Sequence, residues 1–128
     1  DLHSFPTRRS SDLHSQLHQK VLMCFLERLQ REQGDNLLKV VLFGSVARGE
    51  EDPSDIDVFV LLKSLKKASD TEDIVDIAYE VDLSEGNCET YISPFVRPLN
   101  EYQKGIQQGL PVYKAIQSEG RVLYDAQA

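Results

Sequence analysis

Asp55 and Asp57 stand two apart at the head of an apolar run, DIDVFVLL, over residues 55–62. A strand alternates its side chains, so both carboxylates point to one face. Two carboxylates side by side repel unless a cation sits between them. Hard oxygen donors with a phosphate nearby favour Mg²⁺ over a transition metal. A phosphate site is offered just upstream, where the run LLKVVLF ends in Gly44-Ser45 and continues Val46-Ala47-Arg48-Gly49. Gly-Ser lets the backbone turn sharply, and a helical turn from Ser45 would present free N–H groups and a hydroxyl to an anion. Phosphate cradle plus metal carboxylates describes phosphoryl or nucleotidyl transfer.

Each half of this pattern also has a plain reading. Gly-Ser is common strand-to-turn punctuation, and Asp-x-Asp is commonly a solvated strand start. No Gly-Lys-Ser/Thr follows, which excludes a P-loop. Ile56 and Val58 stand where an EF-hand loop would need oxygen ligands and its glycine. The conjunction of strand, Gly-Ser, short loop, Asp-x-Asp and apolar strand is much rarer than its parts.

The elements that must position these residues read as alternating helices and strands. Residues 14–33 carry a helical stripe of Leu17, Val21, Leu22, Phe25, Leu26 and Leu29, stopped by Gly34. Leu37–Phe43 and residues 55–62 read as buried strands. Ser69 before Asp70, Glu72 and Asp73 reads as an N-cap with acids in the first turn, opening a helix with Ile74, Ile77, Ala78 and Val81 on its inner face and Gly86 at its end. Glu89 to Val96 reads as a third strand, which Pro94 makes either frayed or an edge. Asn100 with Gln103 reads as a capping box, Pro111 as the first residue of another helix ending at Gly120, and Arg121 to Tyr124 as a final strand. The expected fold is α/β (α+β), with one small mixed sheet flanked by helices.

The stretch Gly44-Ser45, Ala47-Arg48-Gly49 and Ser54-Asp55-Ile56-Asp57 resembles the nucleotidyltransferase superfamily typified by DNA polymerase β, in its minimal bacterial form. The motif covers about fifteen residues, and the order of elements extends the resemblance over residues 14–124. The resemblance implies that Gly44 and Ser45 contact the phosphates of a nucleoside triphosphate and that Asp55 and Asp57 hold two Mg²⁺ ions. It leaves Arg48 either on phosphate or paired with an acid of the Glu50–Asp52 cluster. A third carboxylate is expected from a later strand. Glu89 is the acid available there, though the alignment also allows Thr90 at that position, and Glu85 is a weaker alternative. The chemistry implied is transfer of a nucleoside monophosphate, AMP from ATP, onto an acceptor hydroxyl. Such minimal proteins often pair with a helical HEPN toxin and act as antitoxins by adding AMP to a toxin tyrosine. The alternative is a partner-binding, antitoxin-like module with an eroded metal site. Aminoglycoside modification fits less well, since it normally uses a further domain to hold the drug.

Composition sets the outer bounds. The chain has 128 residues, with 41% hydrophobic and 27% charged residues, one domain's worth. Its net charge of −7 disfavours a nucleic-acid partner. No apolar run is long enough to span a bilayer. Cys24 lies in a helical apolar pattern far from Cys88, which points to a reducing, cytoplasmic setting without a disulfide. His14 and His18 have metal-ligand spacing but no further ligands, so a solvated helix face is expected. Residues 3–13 resemble the translation of a sequencing-library adapter, so residues 1–13 are set apart as a non-native or disordered segment and residues 14–128 form the expected single domain. A homo-oligomer is left open, as are base preference and acceptor.

Overall fold

The computed structural model describes residues 12–49, 55–87 and 89–127, with the side chains of 12–15 outside the description. Helix α1 (Asp12–Gln33) starts two residues ahead of the expected domain boundary and buries Val21, Leu22, Phe25 and Leu29. Gly34, at φ +54°, ends it and opens a 3₁₀ turn, Gly34–Asn36. Strand β1 (Leu37–Phe43) runs into a single helical turn, α2 (Gly44–Ala47). Strand β2 (Ile56–Leu62) and helix α3 (Asp70–Ser84) follow, then β3 (Ile92–Pro98), α4 (Leu99–Gln108), α5 (Pro111–Glu119) and β4 (Arg121–Asp125).

The sheet order is β3-β2-β1-β4. β1 is antiparallel to β2 and β4, while β2 and β3 are parallel, giving the expected mixed sheet. The period-2 alternation splits the strands between two cores. Val40, Leu42, Ile56, Val58, Val60, Ile92 and Val96 pack with α1 and α3. Val41, Phe59 and Leu61 pack with Tyr113 and Ile116 of α5, and Phe95 and Tyr102 lie against them.

Two boundaries and one cap differ from the sequence reading. β3 starts at Ile92, because the residues before it are tied to α3: Thr90 Oγ1 donates to Asp82 Oδ1 at 2.7 Å and Ile92 N–H to Asp82 Oδ2 at 2.9 Å. α4 starts at Leu99 after an extended Pro98 with no side-chain cap, so Asn100 is inside the helix and forms no capping box. Ser69 makes no capping bond to the backbone. Asp70, almost wholly buried, instead accepts the N–H groups of Lys66 and Lys67 at 2.7 and 3.0 Å and folds the preceding loop onto α3.

Pro94 lies on an edge strand, one of its two expected readings. Ile56 N–H donates to Tyr91 O, so Ile92, Pro94, Val96 and Pro98 turn their backbone groups away from β2. Two of these lack an N–H, the third donates to Asp82, and the Val96 carbonyl accepts from Arg97 Nη1 at 2.7 Å. The two prolines and the Asp82 bond leave this edge few donors for a further strand.

Candidate functional site

The carboxylates sit at one end of the sheet, on the face that carries α5. Asp57 pairs with Phe43 of β1 on one side and Ser93 of β3 on the other. One row deeper come Val41, Phe59 and Phe95, which close the floor with apolar packing. Just outward of the paired register, Tyr91 O accepts the N–H of Ile56, the residue after Asp55, at 2.8 Å. Asp55 is exposed and Asp57 half-buried. Burial pushes the Asp57 carboxyl above its ordinary range, the neighbouring Asp55 adds to this, and the Arg48 guanidinium pulls back.

Gly44 is required here by its backbone and by its neighbour. Its φ is +76°, and a Cβ would collide with Asp57 Oδ2 and lie 3.2 Å from Asp57 Cγ. The Gly-Ser turn is thereby laid directly against the second carboxylate. Arg48 N–H closes the turn on Gly44 O at 3.1 Å, and Gly49, at φ +73°, leaves it. Arg121 Nε donates to Ala47 O at 3.2 Å, and Arg48 forms an ion pair with Glu119 at 3.2 Å, so β4 and α5 hold the turn in place. Ser45 is half-buried on it. Gly44, Ser45, Asp55 and Asp57 thus share one end of the sheet, while the Arg48 ion pair is with α5. Ser54 and Glu50–Asp52 lie outside the described residues, as do Cys88 and the His14 side chain.

The acid expected from the third strand lies ahead of it. Glu89 is exposed and three residues short of β3. Among the described residues no group of three or more His, Cys, Asp and Glu side chains is placed to hold a metal ion. The alternation of exposed Glu89, buried Thr90, exposed Tyr91 and buried Ile92 sets Glu89 on the same side of the chain as Tyr91. Thr90 is turned into α3 by its bond to Asp82, and Glu85 pairs with Lys20 of α1 at 3.9 Å. Ser93, Tyr91, Asp82 and Glu119 were missed in the sequence. The parallel register that sets Ser93 beside Asp57 has no local signal, and neither does a contact such as Arg48–Glu119, spanning 71 positions. Cys24 is a half-buried free thiol, raised above its ordinary pKa mainly by burial. No helix among the described residues is long and apolar enough to cross a membrane.

Residues 22–112 match the family model for a nucleotidyltransferase domain. Two candidate protein adenylyltransferases of Methanocaldococcus jannaschii are similar in sequence. MJ1305 is 43% identical over 44 residues, 34% of this chain and 30% of its own, and MJ0141 is 38% identical over 63 residues, 48% and 61%. The matches thus span less than two thirds of either relative. In structure, the chain is similar to a mutant toxin–antitoxin MntA–HpeT, with TM-score 0.52 at 18% identity over 80% of this chain and 71% of that one. It is also similar to a toxin–antitoxin crystallised with AMP-PNP, with TM-score 0.50 at 18% identity over 80% and 73%. At that identity the likeness shows the fold. The family model spans both the Gly-Ser turn and the paired carboxylates: the chain belongs to the nucleotidyltransferase domain family.

Proposed function

We propose that this chain transfers a nucleoside monophosphate, AMP from ATP, onto a hydroxyl of an acceptor protein, in a reaction that depends on Mg²⁺. The observation that carries the reading is the contact between the Gly44 turn and Asp57, which sets a backbone turn suited to phosphate against two carboxylates. Asp55 and Asp57 fit a hard divalent cation: both are oxygen donors, and Asp57 is held above its ordinary pKa by burial and by Asp55, a strain that a cation relieves. When bound, Mg²⁺ would supply charge neutralisation for the triphosphate and for the departing pyrophosphate.

The chain's own residues do the rest. Gly44 and Ser45 seat the phosphates, and Arg48 adds positive charge at the turn. The acceptor oxygen attacks the α-phosphorus, the bond to the pyrophosphate oxygen breaks, and the hydroxyl proton passes to a carboxylate. Glu89 is the proposed acceptor of that proton, being an exposed acid on the Tyr91 side of the segment leading into β3. The similar structures are toxin–antitoxin complexes, which supports a partner toxin as acceptor; the helical HEPN type is the one the family resemblance implies.

The test is incubation with Mg²⁺, a HEPN-type protein and ATP labelled on its α-phosphate. Label on the HEPN protein, released pyrophosphate, and loss of both in Asp55→Asn/Asp57→Asn are the expected results. A second reading, a catalytically weak antitoxin-like module that binds its partner, is favoured by one observation: Ser93 rather than an acid stands beside Asp57 on β3. Nucleotide binding without any transfer would select it.

A further inference from the structure

A nucleotide whose phosphates lie between Gly44 and the carboxylates must place its base somewhere on the same face. One row deeper than Asp57 the face is filled. Phe59 stacks on Phe95, Tyr102 and Tyr113 with ring centroids 5.7, 5.3 and 6.2 Å away, and the Arg97 guanidinium lies 4.2 Å over Phe95. The groove between β3, α4 and α5 opens behind those rings, lined by Phe95 and Tyr113 themselves. Tyr91 is different: it is 59% exposed, and its carbonyl accepts the N–H of Ile56, the residue next to Asp55, at 2.8 Å. Thr90 and Ile92 both bond to Asp82 of α3, which turns the intervening Tyr91 to the opposite side, that of the carboxylates. The other markedly exposed aromatic ring among the described residues, Tyr79, stands on α3 across the sheet.

The geometry points to Tyr91 as one wall of a nucleobase subsite, its ring stacking on the base of the nucleotide whose phosphates occupy the Gly44 turn. This rests on the nucleotide-binding reading above. Stacking tolerates any base because every base offers a π-face, so the subsite serves nucleoside triphosphates as a class and favours the larger purines. Its neighbours Thr90 and Ile92 are pinned, so the ring is held on a fixed backbone.

The test is calorimetric titration with Mg²⁺-ATP and, in parallel, with Mg²⁺-tripolyphosphate, which has the phosphates and no base. Tyr91→Ala weakens ATP binding about tenfold and leaves tripolyphosphate within twofold, while Tyr91→Phe restores ATP binding because the ring remains. Equal ATP affinity in Tyr91→Ala and the parent chain overturns the subsite, as does an equal loss for both ligands. Failure of Phe to rescue overturns it too, and assigns the role to the hydroxyl. A parent chain that binds neither ligand refutes the underlying reading instead. Exposure of Tyr91 means that the variants fold, which thermal melting checks directly.

Discussion

Gly44→Ala is the perturbation that most sharply probes the contact on which the site rests. Two separate terms act. An L-residue at φ +76° costs about 1–2 kcal/mol by crowding of its Cβ against the backbone. The new methyl also collides with Asp57 Oδ2, and relieving such overpacking costs about 1–3 kcal/mol more. Gly34 supplies the control, since its φ is +54° but nothing lies within 4 Å of a Cβ there. Gly34→Ala therefore carries the conformational term alone, about 1–2 kcal/mol. For a domain of this length each kcal/mol lowers Tm by about 3–6 °C, so Gly44→Ala should melt about 6–30 °C below the parent and clearly below Gly34→Ala. Pairing it with Asp57→Ala removes the obstacle, and the double variant should recover the excess loss but not the conformational one. Thermal melting of the four proteins, with denaturant titration to fix ΔG, reads all of this. Equal melting of Gly44→Ala and Gly34→Ala would show that the turn does not lie on Asp57 and would refute the reasoning.

Other outcomes follow from the same geometry. Asp57 has a folded pKa above its unfolded one, so its ionisation opposes folding as pH rises through the folded value, and the opposition is absent below the unfolded value near 3.8. Asp57→Asn should accordingly raise Tm at pH 7 in EDTA, while Mg²⁺ should raise Tm of the parent and not of the variant. Asp70 has the opposite sign: the donated Lys67 N–H, helped by that of Lys66, outweighs burial and holds its carboxyl below the ordinary range. Its contribution is present above pH 3.8 and is lost as pH falls through the depressed value, so Asp70→Ala should lose about 1–3 kcal/mol at pH 7 and show a shallower acid limb in denaturant titrations. Glu89→Gln should slow transfer by about 10²–10⁴-fold with ATP affinity within twofold, read by labelled-AMP transfer and calorimetry. Parental turnover in that variant would remove Glu89 from the reaction.

The local features were legible in the sequence. Apolar runs gave β1 and β2, the 3.6-residue stripe gave α1 and the inner face of α3, and Pro94 gave a frayed or edge strand. A phosphate turn was expected near the two carboxylates, and the antiparallel return of β2 along β1 is what makes Gly44 and Asp57 meet. What escaped was set by distant partners. Asp82 reaches Thr90 and Ile92 and so delays β3, which moved Glu89 off the strand. Asp70 serves the preceding loop where Ser69 was expected to cap the helix, because a buried carboxylate accepts two N–H groups more strongly than an exposed hydroxyl could. Ser93 and Tyr91 acquire meaning only through the parallel register of β3 on β2, which no period or turn residue encodes.

The central claim, a metal-dependent nucleotide site built from the Gly44 turn and the two aspartates, is tested most directly by calorimetric titration of ATP with Mg²⁺ and in EDTA. Saturable binding with Mg²⁺, lost in EDTA and in Asp55→Asn/Asp57→Asn while that variant still melts cooperatively, is the predicted result. ATP binding of equal strength in EDTA and in the double variant, or no binding by the folded parent chain, would contradict it.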